Sequence, residues 1–342
     1  MLDASLSQFV NRLASSRPTG IALYDRDQPV TYAQLAEQSR RLATGLAELG
    51  VQTGDRVAVW LPNIPAWFAS FFACARLGAI AVAVNTRFKS GEIADIVGRS
   101  GAKVVIYWPG FKGIDFVGIM AEADGQAFAA VRAFVVYGED DAPIPDAIHG
   151  IPGHDYRKLV TSAPMRDDHG GPEHGCVIFT TSGTTRAPKF VLHPQRSIIA
   201  HANDVATALD LRADDAVVMP SVPFCGVTGF CQATAALAAM RTIVSMPAFD
   251  AAEAARLIRR HRVTHTVAIG DMLENLLAAA PEAGCEPERP FPSLRVVGFA
   301  TFSPTQAQIV PEAEARGLPL LGLYGSSEMQ ALFSRQMADL AV

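Results

Sequence analysis

A chain of 342 residues, 49% hydrophobic and 18% charged, is long enough for one large or two ordinary globular domains, and its composition excludes a disordered or fibrous protein. A formal net charge of −5 gives no global basic field, which argues against nucleic acid as a partner and requires any phosphate site to be built locally. Five cysteines (Cys74, Cys176, Cys225, Cys231, Cys285), with no CxxC pair and no histidine at metal-ligand spacing, read as reduced thiols of a cytoplasmic protein.

The N-terminal stretch MLDASLSQFVNRLASSRP has no basic region followed by an apolar core, so no secretory signal is expected. From Thr31 the pattern becomes regular. Thr31 and Gln34 suit a capping box, Leu35, Leu42, Leu46 and Leu49 share one helical face, and Gly50 stands at the stop position. A strand is predicted at Arg56 to Leu61. The run from Ala66 to Val84 nearly has the length of a membrane span, but Arg76 and Gly78 divide it into a buried helix and a buried strand. A helix opened by Ser90 and a strand from Lys103 to Tyr107 follow. The stretch from Gly138 to Gly175, rich in Gly, Pro, Asp and His, reads as a long surface connection between two lobes.

Alternation then resumes with a strand at CVIFT, a helix around Pro194 to Asp210, and strands at AVVM and TIVS. Asp250 and Glu253 cap a helix running to His261, and the strands THTVA, RVVG and LPLLGL complete the series, with Ser303, Pro304 and Gln306 starting a helix before the last. Repeated strand-helix-strand units predict an α/β fold of two stacked lobes, each a mainly parallel sheet flanked by helices, spanning approximately residues 50–175 and 176–342. His193, His201, His261 and His265 show no metal-ligand spacing and read as structural.

The segment that carries chemistry is VIFTTSGTTRAPK, Val177 to Lys189. An apolar strand delivers the chain into five small residues, Thr181, Ser182, Gly183, Thr184 and Thr185. Small residues let backbone N–H groups approach an anion, hydroxyls add donors, and Arg186 and Lys189 add charge, so the loop suits polyphosphate; a plain Ser/Thr loop is the other reading. It is not the GxxxxGK[ST] loop, because Lys189 lacks the preceding Gly and the following hydroxyl.

TSGTTRAPK resembles the phosphate loop TSGTTGxPK of the adenylate-forming superfamily, which comprises acyl- and aryl-CoA synthetases, peptide-synthetase adenylation domains and beetle luciferases. The departure is Arg186, where the family usually has Gly or Ser; it either restricts the loop's backbone or places a guanidinium beside the phosphates. Tyr324, Gly325, Ser326, Ser327 and Glu328 resemble the family's YGxTE signature. Gly298 to Ser303 occupy the place of its GGAPLS segment, matching at Gly298 and Ala300 and not at Phe299 or Thr301. VTYAQLAEQSRRLATGLAELGVQTGDRVAVWLPN and ARLGAIAVAVNTRFKSGEI look like its opening units, so the likeness spans nearly all of the chain.

The resemblance implies the large N-terminal domain of an enzyme that activates a fatty or aromatic acid with ATP and passes it to CoA, with the nucleotide near the carboxyl ends of the strands. Thr181, Ser182, Gly183, Thr184, Thr185, Arg186 and Lys189 would hold phosphates. Gly298, Phe299, Ala300, Tyr324, Gly325 and Ser327 would surround AMP, the tyrosine stacking on adenine. Glu328 would ligate Mg2+. The segment PFCGVTG, with Gly298, would supply the acyl pocket through Phe224, Gly226 and Gly229. Gly226 stands where the family often has a gating histidine; it either widens the passage or serves a tight turn. PFCGVTGFCQATAAL contains no acid to pair an amino group, which favours a plain carboxylic acid over an amino acid.

Family members continue past YGxTE through a ribose-binding aspartate, a hinge and a small C-terminal domain bearing a lysine essential to adenylation. This sequence stops at Val342. The expectation is therefore an incomplete domain, a fragment or a naturally shortened protein, nearly inactive alone; a binding module without turnover and an amino-acid adenylation domain are the competing readings.

Overall fold

The computed structural model describes residues 3–138, 143–181, 188–301, 308–332 and the backbone of 334–335. The chain forms two compact units, Met1–Thr19 with Tyr32–Ala200, and Gly20–Thr31 with His201–Val342.

In the first unit the described strands form an eight-stranded sheet in the order Phe190–Pro194, Gly175–Thr180, Ile80–Ala83, Arg56–Trp60, Val104–Tyr107, Ala133–Val136, Ile151–Asp155, Ala147–Ile148, parallel except for the pair at each edge. The central runs VAVW, VVIY and AFVV are buried at every position, as a parallel sheet covered on both faces requires. The helix Pro65–Leu77 is buried along its whole length, opened by Pro65 at its first position and closed by Gly78 at φ 67. The predicted break between helix and strand at Gly78 is therefore the one observed. The helix Tyr32–Glu48 buries Leu35, Leu42 and Leu46.

Two expectations for this unit need correction. The stretch from Gly138 to Gly175 is not wholly connection, since it contains the edge hairpin Ala147–Ile148 and Ile151–Asp155 and the short helix Tyr156–Leu159. Edge strands carrying Pro152 and Gly153 lack an apolar run, so no period-two signal marks them. The boundary expected at 175/176 lies at 200/201, because Gly175–Thr180 pairs in parallel with Ile80–Ala83 and belongs to the first sheet.

In the second unit the strand order is Ser334–Arg335, Leu320–Tyr324, Val296–Ala300, His265–Ile269, Val217–Met219, Thr242–Ser245, Ile21–Asp25, Gln28–Thr31. The interior pairs are parallel. The last two strands form a hairpin whose turn residues, Arg26 and Asp27, both have positive φ, 45 and 70. The helix Ala251–His261 is capped by Asp250, whose side chain accepts from the Glu253 N–H, as predicted. With Met272–Ala279 it covers a core built on Met219, Val244, Leu257, Leu273, Val297 and Phe299. The expected helix start at Ser303, Pro304 and Gln306 lies outside the described residues; a helix is present at Val310–Ala315. Among the described residues no helix is long and apolar enough to cross a membrane.

Candidate functional site

Three adjacent parallel strands of the second unit, His265–Ile269, Val296–Ala300 and Leu320–Tyr324, end on the same side of their sheet. Open α/β sheets bind ligands beyond such carboxyl ends. A cavity of about 300 Å³ lies there, touched by Val267 and Ile269 of the first strand, Ala300 of the second with Thr301 just beyond it, and Leu323 and Tyr324 of the third with Gly325 just beyond it. The helix Val227–Ala238 provides another wall through Val227, Thr228, Cys231 and Gln232, at the i, i+1, i+4, i+5 spacing of one helical face. None of the described lining residues is charged.

Tyr324 is 70% exposed at the rim, a large ring presented outward from the end of a strand. Gly325 is held against the returning chain, where an added Cβ would overlap the Ala331 carbonyl, so only glycine fits. Ser327 is half-buried and Glu328 exposed in the 3-10 turn Ser327–Met329. Cys231 touches the cavity with its thiol pushed up to about 12 by burial, which keeps it protonated and inert. Its sulfur lies 3.8 Å from His201 Nδ1, and His201 Nε2 lies 3.0 Å from the Leu332 carbonyl.

The expected pocket residues are placed less uniformly. Ala300, Tyr324 and Gly325 line the cavity. Phe299 is buried in the core, and Gly298 faces a small inner void, where a Cβ would come within 2.5 Å of Leu323 Cδ1. Phe224, Gly226 and Gly229 do not line the cavity. Phe224 is buried, and a Cβ on Gly229 would overlap the Val222 carbonyl, so this glycine serves close packing. Gly226 is the N-cap of Val227–Ala238 at φ −103, with only ordinary contact available to a Cβ, so its turn does not demand glycine.

A profile of the family described as AMP-binding enzyme matches residues 10–341. The chain belongs to that family. It is 32% identical over 328 residues to an indoleacetate–CoA ligase of Aromatoleum aromaticum, covering 94% of this chain and 60% of the relative. Against the long-chain-fatty-acid–CoA ligase FadD13 of Mycobacterium tuberculosis identity is 33% over 259 residues, 75% of this chain and 47% of the relative. The chain thus spans less than two thirds of the length of these relatives. The inhibitor-bound N-terminal domain of FACL13 from M. tuberculosis superposes with a TM-score of 0.77 at 27% identity, over 95% of this chain and 76% of that one.

The segment expected from the sequence to bind phosphate is flanked by the two strands of an antiparallel pair, Gly175–Thr180 and Phe190–Pro194. Its base is closed by the Thr181 N–H donating to the Lys189 carbonyl at 3.0 Å, with Lys189 exposed. Ser182, Gly183, Thr184, Thr185 and Arg186 lie outside the described residues. Sequence reasoning missed Arg99. Its Nη2 donates to the Pro188 carbonyl at 2.8 Å and its guanidinium sits 4.2 Å over the Phe190 ring, while Asp95 accepts from it at 2.7 and 2.6 Å. It thereby fixes the returning end of the loop. The i,i+4 spacing of Asp95 and Arg99 was the available signal, and it reads equally as a surface ion pair. Val205, Leu209, Val267 and Ile269 were also missed, because an apolar residue lining a cavity carries the same pattern as one filling a core.

Proposed function

We propose that this chain is the nucleotide- and acid-binding part of an enzyme that activates a carboxylic acid with ATP and transfers the acyl group to CoA. The supporting observation is the cavity at the carboxyl ends of three parallel strands, uncharged among its described lining residues, with the Tyr324 ring at its rim. In the first half-reaction a carboxylate oxygen attacks the α-phosphorus of ATP, the bond to the bridging oxygen breaks, and pyrophosphate leaves. In the second the CoA thiol displaces AMP from the acyl carbonyl and loses its proton.

The protein's contribution is positioning and charge neutralisation, since an anion must approach an anion. Tyr324 would stack on adenine beside Ala300 and Gly325, the two other expected residues that line the cavity, and Ser327 would meet the α-phosphate. Thr181, Ser182, Gly183, Thr184, Thr185, Arg186 and Lys189 would hold the β- and γ-phosphates. A single exposed carboxylate, Glu328, suits Mg2+, which is commonly bound through one or two carboxylates together with substrate phosphates. The ion would neutralise phosphate charge there.

An ammonium buried among uncharged walls is costly, so the acid is a fatty or aromatic one and not its α-amino analogue. The relatives named for indoleacetate and for long-chain fatty acids fit both halves of that class. Five free cysteines suit a cytoplasmic location. Acid-dependent pyrophosphate release by a complete version of the enzyme, measured with fatty and aryl acids beside their α-amino analogues, tests the reading. Release with the plain acids alone is expected. Equal release with both classes would sink it, and nucleotide binding without any release would make the protein a binding module.

A further inference from the structure

His201 lies in the helix Gln195–Ala208, and Cys231, from the helix Val227–Ala238, stands beside it; with Leu332 they all belong to the second unit. The Leu332 carbonyl, 131 residues further along the chain, lies 3.0 Å from His201 Nε2. A carbonyl can only accept, so Nε2 carries the proton and donates, which leaves Nδ1 of the neutral ring as an acceptor. The Cys231 thiol, kept protonated by burial, is a donor within reach of it at 3.8 Å. The Leu332 backbone also hydrogen-bonds the Cys231 sulfur, so two helices grip this one residue. His201 itself does not line the cavity.

Leu332 stands where the loop that starts at Tyr324 returns. Tyr324, Gly325, Ser326, Glu328 and Met329 are exposed, so the loop has little packing to hold its shape. Its own hydrogen bonds are short-range: the Met329 and Ala331 N–H groups donate to the Ser326 carbonyl, and the Gln330 N–H to the Ser327 carbonyl. The return runs through Gln330 and Ala331 at φ 57 and 75, a conformation that costs free energy at any residue carrying a Cβ. Surrounding structure has to keep such a turn closed, and the imidazole supplies an anchor at its end.

We propose that His201 is a positioning residue for the nucleotide: by holding the Leu332 carbonyl it fixes the loop that carries Tyr324 and Glu328, without touching the ligand. The inference rests on the reading that Tyr324 stacks on adenine. Without the anchor the strained turn can relax, the Ala331 carbonyl can leave Gly325, and the neighbouring ring loses its fixed place. Ordering the loop then has to be done at the expense of binding.

The test uses the reach of two amides. The side-chain nitrogen of glutamine stands about where histidine Nε2 does and that of asparagine about where Nδ1 does, so His201→Gln can donate to the Leu332 carbonyl and His201→Asn cannot. AMP affinity is measured by titration calorimetry, and hydrogen exchange is followed over residues 325–332 of the nucleotide-free protein. His201→Gln should match the wild type in both. His201→Asn and His201→Leu should bind AMP about tenfold more weakly, the upper end for one neutral hydrogen bond. Residues 325–332 should exchange faster in these two variants while the helix Ala251–His261 exchanges as before. Equal AMP affinity in the glutamine and asparagine variants overturns the proposal, whether or not His201→Leu folds. Faster exchange spread over the whole second unit also overturns it and makes His201 a packing residue. Faster exchange confined to the loop, with no AMP bound by the wild type, defeats the adenine reading and leaves the clamp in place; AMP binding indifferent to His201 does the reverse.

Discussion

Gly325 lies against backbone rather than side chain. The loop beyond it turns through Gln330 and Ala331 at φ 57 and 75, and the Ala331 N–H donates to the Ser326 carbonyl at 2.8 Å, which brings the Ala331 carbonyl onto the glycine. A methyl group at 325 has to push main chain aside. Gly325→Ala should cost about 1–3 kcal/mol of stability, as overpacking does. It should also weaken AMP binding about tenfold by displacing the neighbouring Tyr324 ring. Unaltered thermal unfolding and AMP titration would mean that the loop yields freely. Tyr324→Ala should lower AMP affinity by about 1–3 kcal/mol and Tyr324→Phe hardly at all, because stacking uses the ring and not the hydroxyl. The small residue in YGSSE was legible as a motif position. Its physical reason was not, since the group that demands it belongs to Ala331, outside the motif. His201 was legible only as a structural histidine: sequence reports an imidazole but not the Leu332 carbonyl that it holds.

The hairpin of Ile21–Asp25 and Gln28–Thr31 shows how an element escapes a pattern reading. Its two-residue turn uses Arg26 and Asp27 with positive φ, where Asn and Gly are the usual signals, and its outer strand is exposed at Gln28 and Pro29. Tertiary contacts supply what the turn residues lack. Asp27 meets His261 Nε2 at 2.7 Å, Arg256 at 3.2 Å and Arg260 at 3.0 Å, all from the helix Ala251–His261, and Arg256 also pairs with Glu253. That helix was readable from Asp250, Glu253 and its apolar spacing, whereas its use as a clamp on a distant turn was not. Burial pulls the Asp27 carboxyl upward, but the His261 hydrogen bond and the arginine charges outweigh it and hold the pKa below the ordinary 3.8. A depressed carboxylate contributes stability that is complete above the unfolded value and disappears as pH falls through the folded one. Asp27→Asn should therefore destabilise the protein by about 1.5–3 kcal/mol near neutrality, the range for hydrogen bonds to charged groups. The gap from wild type should close as pH drops below 3.8. Chemical denaturation across pH measures this, and a gap independent of pH would remove Asp27's charge from the account.

For the molecule as a whole, the strand-helix alternation was readable because parallel strands buried on both faces must be apolar runs, as at VAVW, VVIY and TIVS. Edge strands escaped, as did the sheet to which each strand belongs. Membership is decided by pairing, and pairing between residues far apart leaves no mark in a local pattern. The chain passes from one unit to the other three times, because Gly20–Thr31 completes the second unit while its flanks build the first. In that second sheet Ile21–Asp25 covers the side of Thr242–Ser245 opposite Val217–Met219. A fragment of residues 201–342 should consequently expose a strand edge and aggregate, whereas the same fragment with residues 20–31 joined through a flexible linker should stay monomeric in sedimentation. Monomeric behaviour of both would show the hairpin to be dispensable. During synthesis the same connectivity imposes an order. The hairpin emerges early from the ribosome, yet the strand it pairs with is made only after the entire first sheet has been translated. Closing so long a loop is entropically slow, so the second unit is the late-forming part of the molecule and the one that most needs protection in a nascent chain.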